Sequence, residues 1–422
     1  MDLHSPAAAH TAALRTDGAR LWQSLMDLAQ IGATPKGGVC RLALTELDRQ
    51  GRDLFVQWAK DAGCTVRVDA IGNIFARRAG TDDGLPPVMT GSHIDTQPTG
   101  GKFDGNYGVL AGIEVLRTLN DAGVRTRAPL EVAVWTNEEG SRFVPVMMGS
   151  GVFASAFTLE HVLAQTDAAG ISVGEALQSI GYNGPAGPVA HPVGAYFEAH
   201  IEQGPVLENH EKVIGVVQAA LGQRWYDVTI TGMEAHAGPT PMELRKDALL
   251  AASDLIAAVN RIATDRKPHG RGTVGQLGVF PNSRNVIPGS VTMTVDLRAP
   301  DDAMLTSMDT ALQAVCAEIR AQRHVEITVQ QVVYFPPQPF TPHLVQAVRS
   351  GAQALGYSHM DVVSGAGHDA VYVARLAPTA MIFVPCADGI SHNEIEDAEP
   401  AHLEAGCNVL LRAMLEVAGV AK

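Results

Sequence analysis

The chain has 422 residues, a length that favours two domains over a single hydrophobic core. Hydrophobic residues make up 46% and charged residues 18%, a composition typical of a soluble globular protein. The formal net charge of −14 disfavours a nucleic-acid partner, and no run of about 18 apolar residues predicts a membrane helix.

The cysteines and the first residues bear on the cell compartment. The five cysteines are scattered, odd in number and never spaced as CxxC. The start, MDLHSPAAAHTAALRTDG, lacks the basic and apolar regions of a secretory signal. We therefore expect reduced thiols in a cytoplasmic protein.

Helical and strand patterns alternate from about residue 15 to 212. They predict helices over 44–62 and 109–122 and short apolar strands over 130–136 and 195–200. This alternation favours an α/β layered domain.

The next segment, from about residue 212 to 336, has a different order. Its elements read βαββαβ, with strands over 225–231, 272–280, 290–297 and 324–333 and helices over 244–262 and 302–321. This order is typical of a ferredoxin-like sandwich that can stand as its own small domain.

The α/β alternation then resumes, with predicted helices over 343–355 and 369–376, a strand over 380–385 and a final helix from about Pro400. The predicted fold is therefore α/β, a large layered domain formed by residues 1–212 and 337–422. A ferredoxin-like α+β domain of residues 213–336 is inserted into it.

The stretch VMTGSHIDTQPTGGKFDGNYG combines ligand-type side chains with turns. Its first residues, 88–90, have the apolar character of a strand end. His93 and Asp95 stand two apart and therefore share one side of an extended segment. Asp104 directly precedes a helical pattern, where a carboxylate suits the positive end of the helix.

The stretch LEVAVWTNEEGSRF puts Glu138 and Glu139 after a buried strand. Ligands of open α/β sheets bind outside such strand ends. One acid can bind a metal ion while the other takes a proton from water and passes it to the leaving nitrogen. An isolated pair of acids is usually a solvated turn, but the strand context favours the catalytic interpretation.

Two histidines follow apolar strands, His200 in EAHIEQGPVLE and His392 in FVPCADGISHNEIED. A lone histidine of this kind is more often structural. Distant histidines in like settings are nevertheless what a site assembled from several strand ends requires. Three imidazoles with two or three carboxylates suit a borderline-soft divalent cation, or two if one carboxylate bridges.

The small domain carries His236, Asn285 and Arg298 in GMEAHAGPTPMELRKDAL, PNSRNVIPGSV and MTVDLRAP. An imidazole, an amide and a guanidinium suit polarising a carbonyl and clamping a carboxylate. Each residue alone is as well explained by a loop, a cap or a surface position. In SGAGHDAVYVA, Gly365 and Gly367 permit close backbone approach to an anion or carbonyl, while the following histidine and aspartate can serve simply as a helix cap.

Together these motifs resemble the hydantoinase/carbamoylase family over roughly residues 20–418. These are dinuclear-metal amidohydrolases among the aminoacylase and carboxypeptidase-like metallopeptidases, and they include β-ureidopropionases. The resemblance implies two metal-ion sites per subunit that share a bridging Asp104. His93 and His200 would complete one, and Glu139 and His392 the other. Zinc is expected, and manganese, cobalt or nickel also fit such ligands.

The resemblance also implies roles for the remaining residues. Glu138 matches the general base and Asp95 the acid that orients His93. The implied substrate contacts are Gln203, Gln223, His236, Asn285, Arg298 and Gly367, with His236 stabilising the oxyanion and Arg298 holding the substrate carboxylate. His200 is similar to the carbamoylase branch, since related peptidases often have an acid there. The pair after His392, Asn-Glu, departs from the small residue and proline of many relatives.

The activity implied is hydrolysis of an N-carbamoyl amino acid to the amino acid, ammonia and carbon dioxide. GSHIDTQP resembles members that act on N-carbamoyl-β-alanine, so α and β substrates both remain open. Alternatives are an allantoate amidohydrolase, an aminoacylase or dipeptidase, and a metal-binding module without catalysis, which the intact Glu138 disfavours. Relatives dimerise through the inserted domain, so we expect a homodimer in which His236 and Asn285 reach the neighbouring site.

Overall fold

The structure is a computed structural model that describes residues 13–187 and 189–421. Its Cα positions divide into two compact units, the first made of residues up to 218 with 340–362 and 366–422, the second of 219–339 with 363–365. The first twelve residues of the predicted large domain lie outside the described residues. Among the described helices, none combines the length and the apolar character needed to cross a membrane.

The α-helices of the described chain are α1 (Gly18–Ala29), α2 (Glu46–Asp61), α3 (Asn106–Asp121), α4 (Met148–Phe153), α5 (Leu159–Leu163), α6 (Val173–Ile180), α7 (Val206–Asn209), α8 (Ala248–Thr264), α9 (Asp302–Arg323), α10 (Pro342–Ala354), α11 (Asp369–Val373) and α12 (Pro400–Ala418). Short 3₁₀ turns lie at Met242–Leu244 and Ala387–Gly389.

The strands are β1 (Thr65–Val68), β2 (Ile74–Arg78), β3 (Val88–His93), β4 (Leu130–Trp135), β5 (Ala195–Ile201), β6 (Ile214–Ala220), β7 (Gly222–Thr231), β8 (Ala235–His236), β9 (Arg271–Thr273), β10 (Leu277–Phe280), β11 (Val286–Ile287), β12 (Ser290–Ala299), β13 (Glu326–Phe335), β14 (Gln338–Pro339), β15 (His359–Ser364) and β16 (Thr379–Val384).

The centre of the first unit is a run of adjacent parallel strands in the order β4-β3-β5-β16. Every residue of these four strands is buried. Strands that are covered on both faces have continuous runs of apolar residues, and such runs can be recognised in the sequence. Because the strands are parallel, their carboxyl ends meet at one edge of the sheet. The α/β fold class predicted from the sequence is confirmed.

Helix α3 packs unusually close to this sheet, and glycine makes the approach possible. A Cβ atom on Gly108 would lie 2.4 Å from the carbonyl oxygen of Ala199. One on Gly112 would lie 2.9 Å from Thr90 Cγ2. The close packing fixes the start of α3, and with it Asp104, against β3 and β5.

The second unit contains an antiparallel sheet in the order β10-β12-β7-β13, with β9 pairing β12. Helices α8 and α9 pack on it, and side chains such as Ile230, Leu255, Leu297 and Leu312 form its core. The strand expected over 272–280 is two short strands, β9 and β10. By Cα positions the second unit begins at residue 219, within strand β6, while the sequence pattern predicts a boundary at residue 213.

Candidate dinuclear metal centre

The parallel strands bring His93, Asp104 and His200 together although they are distant in sequence. Asp104 Oδ1 lies 3.2 Å from His200 Nε2 and 3.7 Å from His93 Nε2. His93 ends β3, His200 is the penultimate residue of β5, and Asp104 precedes α3. All three side chains are buried, and their ligand atoms are close enough for one metal ion.

A second ligand group shares the same aspartate. Asp104 Oδ2 lies 3.1 Å from His392 Nε2, which is 3.4 Å from Glu139 Oε2. The two oxygens of Asp104 therefore face two different sets of ligands. A carboxylate that bridges two cations would need this arrangement, and the residues of the two groups are those that the family resemblance implies.

The hydrogen bonds of the imidazoles show that this donor set fits a cation. His93 Nδ1 lies 2.9 Å from the carbonyl oxygen of Asp95, and His200 Nδ1 lies 2.9 Å from that of Ile201. Carbonyl oxygens only accept, so each Nδ1 carries the hydrogen. The backbone N–H of Gly105 points at His200 Nε2, which therefore presents a lone pair. A lone pair 3.2 Å from the Asp104 carboxylate calls for a cation beside both.

The charges of the site also favour a bound cation. Burial opposes ionisation of Asp104, but the adjacent imidazoles of His200, His392 and His93 outweigh it and hold the pKa of Asp104 well below its usual value. The hydrogen bond to Asp104 raises the pKa of His392 to about 9. Burial, followed by the charge of Asp104, raises the pKa of Glu139 to about 7. The group as a whole stabilises positive charge.

Glu138 and Glu139 occupy different settings despite their adjacency. Glu138 Oε2 lies 3.5 Å from His93 Nε2, and its side chain is 12% exposed compared with 4% for that of Glu139. Burial raises the pKa of Glu138 well above its usual value, although His93 opposes the change. A carboxylate with a raised pKa at the open side of the site suits proton transfer.

Asp95 contacts both His93 and the two glutamates. Its contact with His93 differs from the expected one, in which the acid group orients the imidazole. Its backbone carbonyl, and not its carboxylate, accepts the His93 Nδ1 hydrogen bond; the carboxylate lies 3.8 Å from that atom. Its two carboxylate oxygens accept the backbone N–H groups of Glu138 and Glu139, at 3.2 and 3.3 Å. Asp95 therefore orients His93 and the two glutamates together.

Two of the expected substrate contacts lie in the first unit. Gln203 Nε2 donates to Asp104 Oδ2 at 2.9 Å, so this amide reaches the ligand groups directly. Gly367 lies in the loop before α11, where a Cβ atom would be 3.1 Å from Met147 Cε. Gln203 and His392 adopt left-handed backbone angles, with φ of 56° and 54°. Such angles cost about 1–2 kcal/mol per residue, and strain of this kind is common at functional sites.

The other four expected residues lie in the second unit, in two pairs. Gln223 and Arg298 are direct partners in the antiparallel register of β7 and β12. His236, on β8, is exposed, and the N–H of the next residue, Ala237, donates to the carbonyl of Asn285 at 2.9 Å. Strand pairing therefore brings together two pairs of residues that are 49 and 75 positions apart in the chain.

Two buried glutamates of the first unit were missed by the sequence analysis. Glu198 lies on β5 and accepts hydrogen bonds from Ser92 Oγ and the N–H of Ala370, both at 2.8 Å. Glu396 is 1% exposed and follows His392 by four residues. An acid inside the apolar run AYFEAHI was an available signal for Glu198, whereas Glu396 stands in a polar loop that offers none.

His368, which was expected to serve simply as a helix cap, packs against His200. Its ring is 4.6 Å from the ring of His200, in an edge-on arrangement. It makes no side-chain capping hydrogen bond to α11. Burial and the adjacent His200 hold its pKa well below the usual value.

Residues 89–416 match peptidase family M20/M25/M40. The protein belongs to this family. It is 48% identical to an N-carbamoyl-L-amino-acid amidohydrolase of Rhizobium meliloti over 96% of this chain and 98% of that one. It is 34% identical to an allantoate amidohydrolase of Bacillus subtilis over 93% and 95%. A hydantoinase/carbamoylase family amidase from Burkholderia multivorans has a crystal structure with TM-score 0.94 and 60% identity, covering 96% and 99%.

The resemblance to the hydantoinase/carbamoylase family is thereby confirmed. M20 proteins are metal-dependent hydrolases, and this M20 protein carries groups of histidine and carboxylate side chains that could hold metal ions.

Proposed function

We propose that this M20 protein hydrolyses the ureido C–N bond of N-carbamoyl-L-amino acids, releasing the amino acid, ammonia and carbon dioxide. One observation carries the hydrolytic part: Glu138 lies beside His93 at the edge of two ligand groups joined by Asp104. The substrate class is supported by the 48% identity, over nearly the whole of both chains, to an enzyme of that name.

The cofactors of the proposed site are two divalent cations per subunit, with zinc expected and manganese, cobalt or nickel also compatible. His93, Asp104 and His200 would hold one, and Asp104, Glu139 and His392 the other. Cations bound there would polarise the ureido carbonyl and lower the pKa of the attacking water.

Glu138 performs the proton transfers of the reaction. Its Oε2 atom takes a proton as water attacks the ureido carbonyl, and then delivers that proton to the nitrogen of the C–N bond that breaks. The carbamic acid that remains loses carbon dioxide and releases its own nitrogen, so one water yields the amino acid, ammonia and carbon dioxide. The raised pKa makes the protonated form accessible for the second step. Asp95 holds the backbone of Glu138 in place and so fixes the direction of its carboxylate.

The second unit supplies the groups that recognise the ureido acid. Arg298 bonds Asp296 and the Gly365 carbonyl in the structure, and it would exchange these partners for the substrate carboxylate. Gln223 lies beside it on the neighbouring strand. His236 and Asn285 donate hydrogen bonds to the carbonyl oxygen as negative charge develops there. Gln203 and Gly367 contribute the remaining contacts.

The assembly proposed is a cytoplasmic homodimer formed through the second unit, with no nucleic-acid or membrane partner. Exposed apolar side chains of that unit support the dimer, among them Phe280 at 63% and Met233 at 59% exposure.

A substrate panel tests the proposal. Ammonia release is measured with N-carbamoyl derivatives of L- and D-amino acids, N-carbamoyl-β-alanine and allantoate, and amino-acid release with N-acetyl amino acids. We expect the highest kcat/KM with an N-carbamoyl-L-amino acid. Allantoate is the second candidate, because of the 34% identity to an allantoate amidohydrolase. A higher kcat/KM for allantoate, or for N-acetyl amino acids, would replace the proposed activity.

A further inference from the structure

Glu396 joins two segments that are far apart in the chain. It lies in the loop that carries His392, and its Oε1 atom accepts the backbone N–H groups of Phe103 at 2.9 Å and Asp104 at 3.1 Å. The fit is tight, because a Cβ atom on Gly101 would lie 2.1 Å from the same oxygen. The segment that leads into Asp104 is thus shaped around this one carboxylate.

The second oxygen of Glu396 controls a hydroxyl beside the bridging aspartate. Ser391 Oγ donates to Glu396 Oε2 at 2.7 Å and lies 3.3 Å from Asp104 Oδ2. A hydroxyl has one hydrogen, and the shorter contact takes it. Gln203 Nε2 in turn donates to Ser391 Oγ at 3.2 Å. Glu396 therefore turns the Ser391 hydrogen away from Asp104 Oδ2 and leaves that lone pair for another partner.

The two ligand groups depend on Glu396 to different degrees. His93 and His200 are buried on strands, and carbonyl groups of Asp95 and Ile201 orient them without Glu396. The side chain of His392 is 51% exposed on a loop, and Glu396 is the carboxylate of that loop that bonds to the Asp104 segment.

We propose that Glu396 is a positioning residue for the second ligand group, formed by Asp104, Glu139 and His392. It fixes the backbone of Asp104 and the loop of His392 with one side chain, and it holds the Ser391 hydroxyl hydrogen away from Asp104 Oδ2. The inference rests on the proposed dinuclear site.

The test is metal retention, which does not require a substrate. Wild type, Glu396→Gln and the control Glu394→Gln are loaded with Co²⁺ alone and dialysed against rising concentrations of pyridine-2,6-dicarboxylate. Cobalt per chain and the visible absorption spectrum are then measured. Glu394 is a matched control because it lies in the same loop but pairs with Lys36, at 3.4 Å.

We expect Glu396→Gln to lose one ion at a chelator concentration at least about 10-fold lower than wild type, as for other residues that orient metal ligands. The other ion should be retained within about threefold, and Glu394→Gln should match wild type. In Glu396→Gln the new amide can donate to Ser391 Oγ, which turns the hydroxyl hydrogen towards Asp104.

A second variant, Ser391→Ala, keeps the two backbone contacts of Glu396 but removes the hydroxyl that bonds Glu396 and Gln203. It also covers the case in which Glu396→Gln does not fold. It should weaken the same ion, by a smaller factor. Equal weakening of both ions, or retention unchanged in a folded variant, overturns the positioning role. Wild type that binds no more than one cobalt ion would instead overturn the proposed dinuclear site.

Discussion

The backbone N–H of Glu138 donates to Asp95 Oδ1 at 3.2 Å, across 43 positions of sequence. The same carboxylate accepts the N–H of Glu139 with its other oxygen. One buried acid therefore orients the proposed base and a proposed metal ligand together. This explains why an aspartate stands there, since both of its oxygens must be acceptors.

Replacing Asp95 by asparagine tests that role. The amide can accept one of the two N–H groups, but its NH₂ faces the other, so the loop of Glu138 should shift. We expect kcat to fall roughly 10–100-fold, as for other residues that orient metal ligands without binding the metal themselves. Steady-state kinetics on the metal-loaded variant measure it. Wild-type kcat would show that the glutamates hold their positions without Asp95.

The adjacent glutamates should respond differently to the same substitution. Glu138→Gln should keep its metal and lose about 10²–10⁴-fold in kcat, because the proton carrier is gone. Glu139→Gln should lose metal instead, since a ligand is weakened. Metal content and kcat measured on both variants separate the roles, and the two act as controls for each other. A near-normal kcat for Glu138→Gln would mean that the base is misassigned.

Metal removal should abolish activity reversibly. Asp104 faces two ligand groups, so we expect up to two divalent ions per chain by elemental analysis of protein purified without chelator. Dialysis against a chelator should eliminate turnover, and addition of zinc or manganese should restore it. Full activity in metal-free protein would contradict the proposed chemistry.

Arg298→Lys should raise KM and lower kcat/KM for N-carbamoyl amino acids, because lysine cannot make the bidentate contact to a carboxylate. A carbamoyl amino acid amide should be a poor substrate of wild type and little affected by the substitution. Arg266→Lys is the control, since Arg266 bonds Ser307 and Ile262 within the same unit. Equal turnover of acid and amide by wild type would remove Arg298 from carboxylate recognition.

Subunit mixing tests the proposed dimer. His236→Ala and Glu138→Gln should each be nearly inactive alone. If His236 acts in the site of the partner subunit, hybrid dimers should regain part of the wild-type activity. Light scattering should report a dimer, and isotope-labelled subunits verify the exchange. Verified exchange without recovered activity would show that each site is built from one chain.

Much of the site could be predicted because its ligands stand at the ends of buried strands. The apolar runs before His93, Glu138, His200 and His392 mark parallel strands, and parallel strands deliver their carboxyl ends to one edge. In the second unit the long elements β7, α8, β12, α9 and β13 show their period in the sequence, whereas the short strands β9 and β10 were expected as one.

Only the tertiary structure reveals the contacts between segments whose sequences share no periodic pattern. Glu396 bonds to the N–H of Asp104 across 292 positions, and nothing in the loop SHNEIED distinguishes it from a solvated acid. Asp95 likewise bonds His93 through its backbone carbonyl and Glu138 through its carboxylate, and this division depends on the directions of the side chains. Periodicity shows which face of an element is buried; which polar groups meet there depends on how distant segments pack, because a hydrogen bond is set by distance and angle.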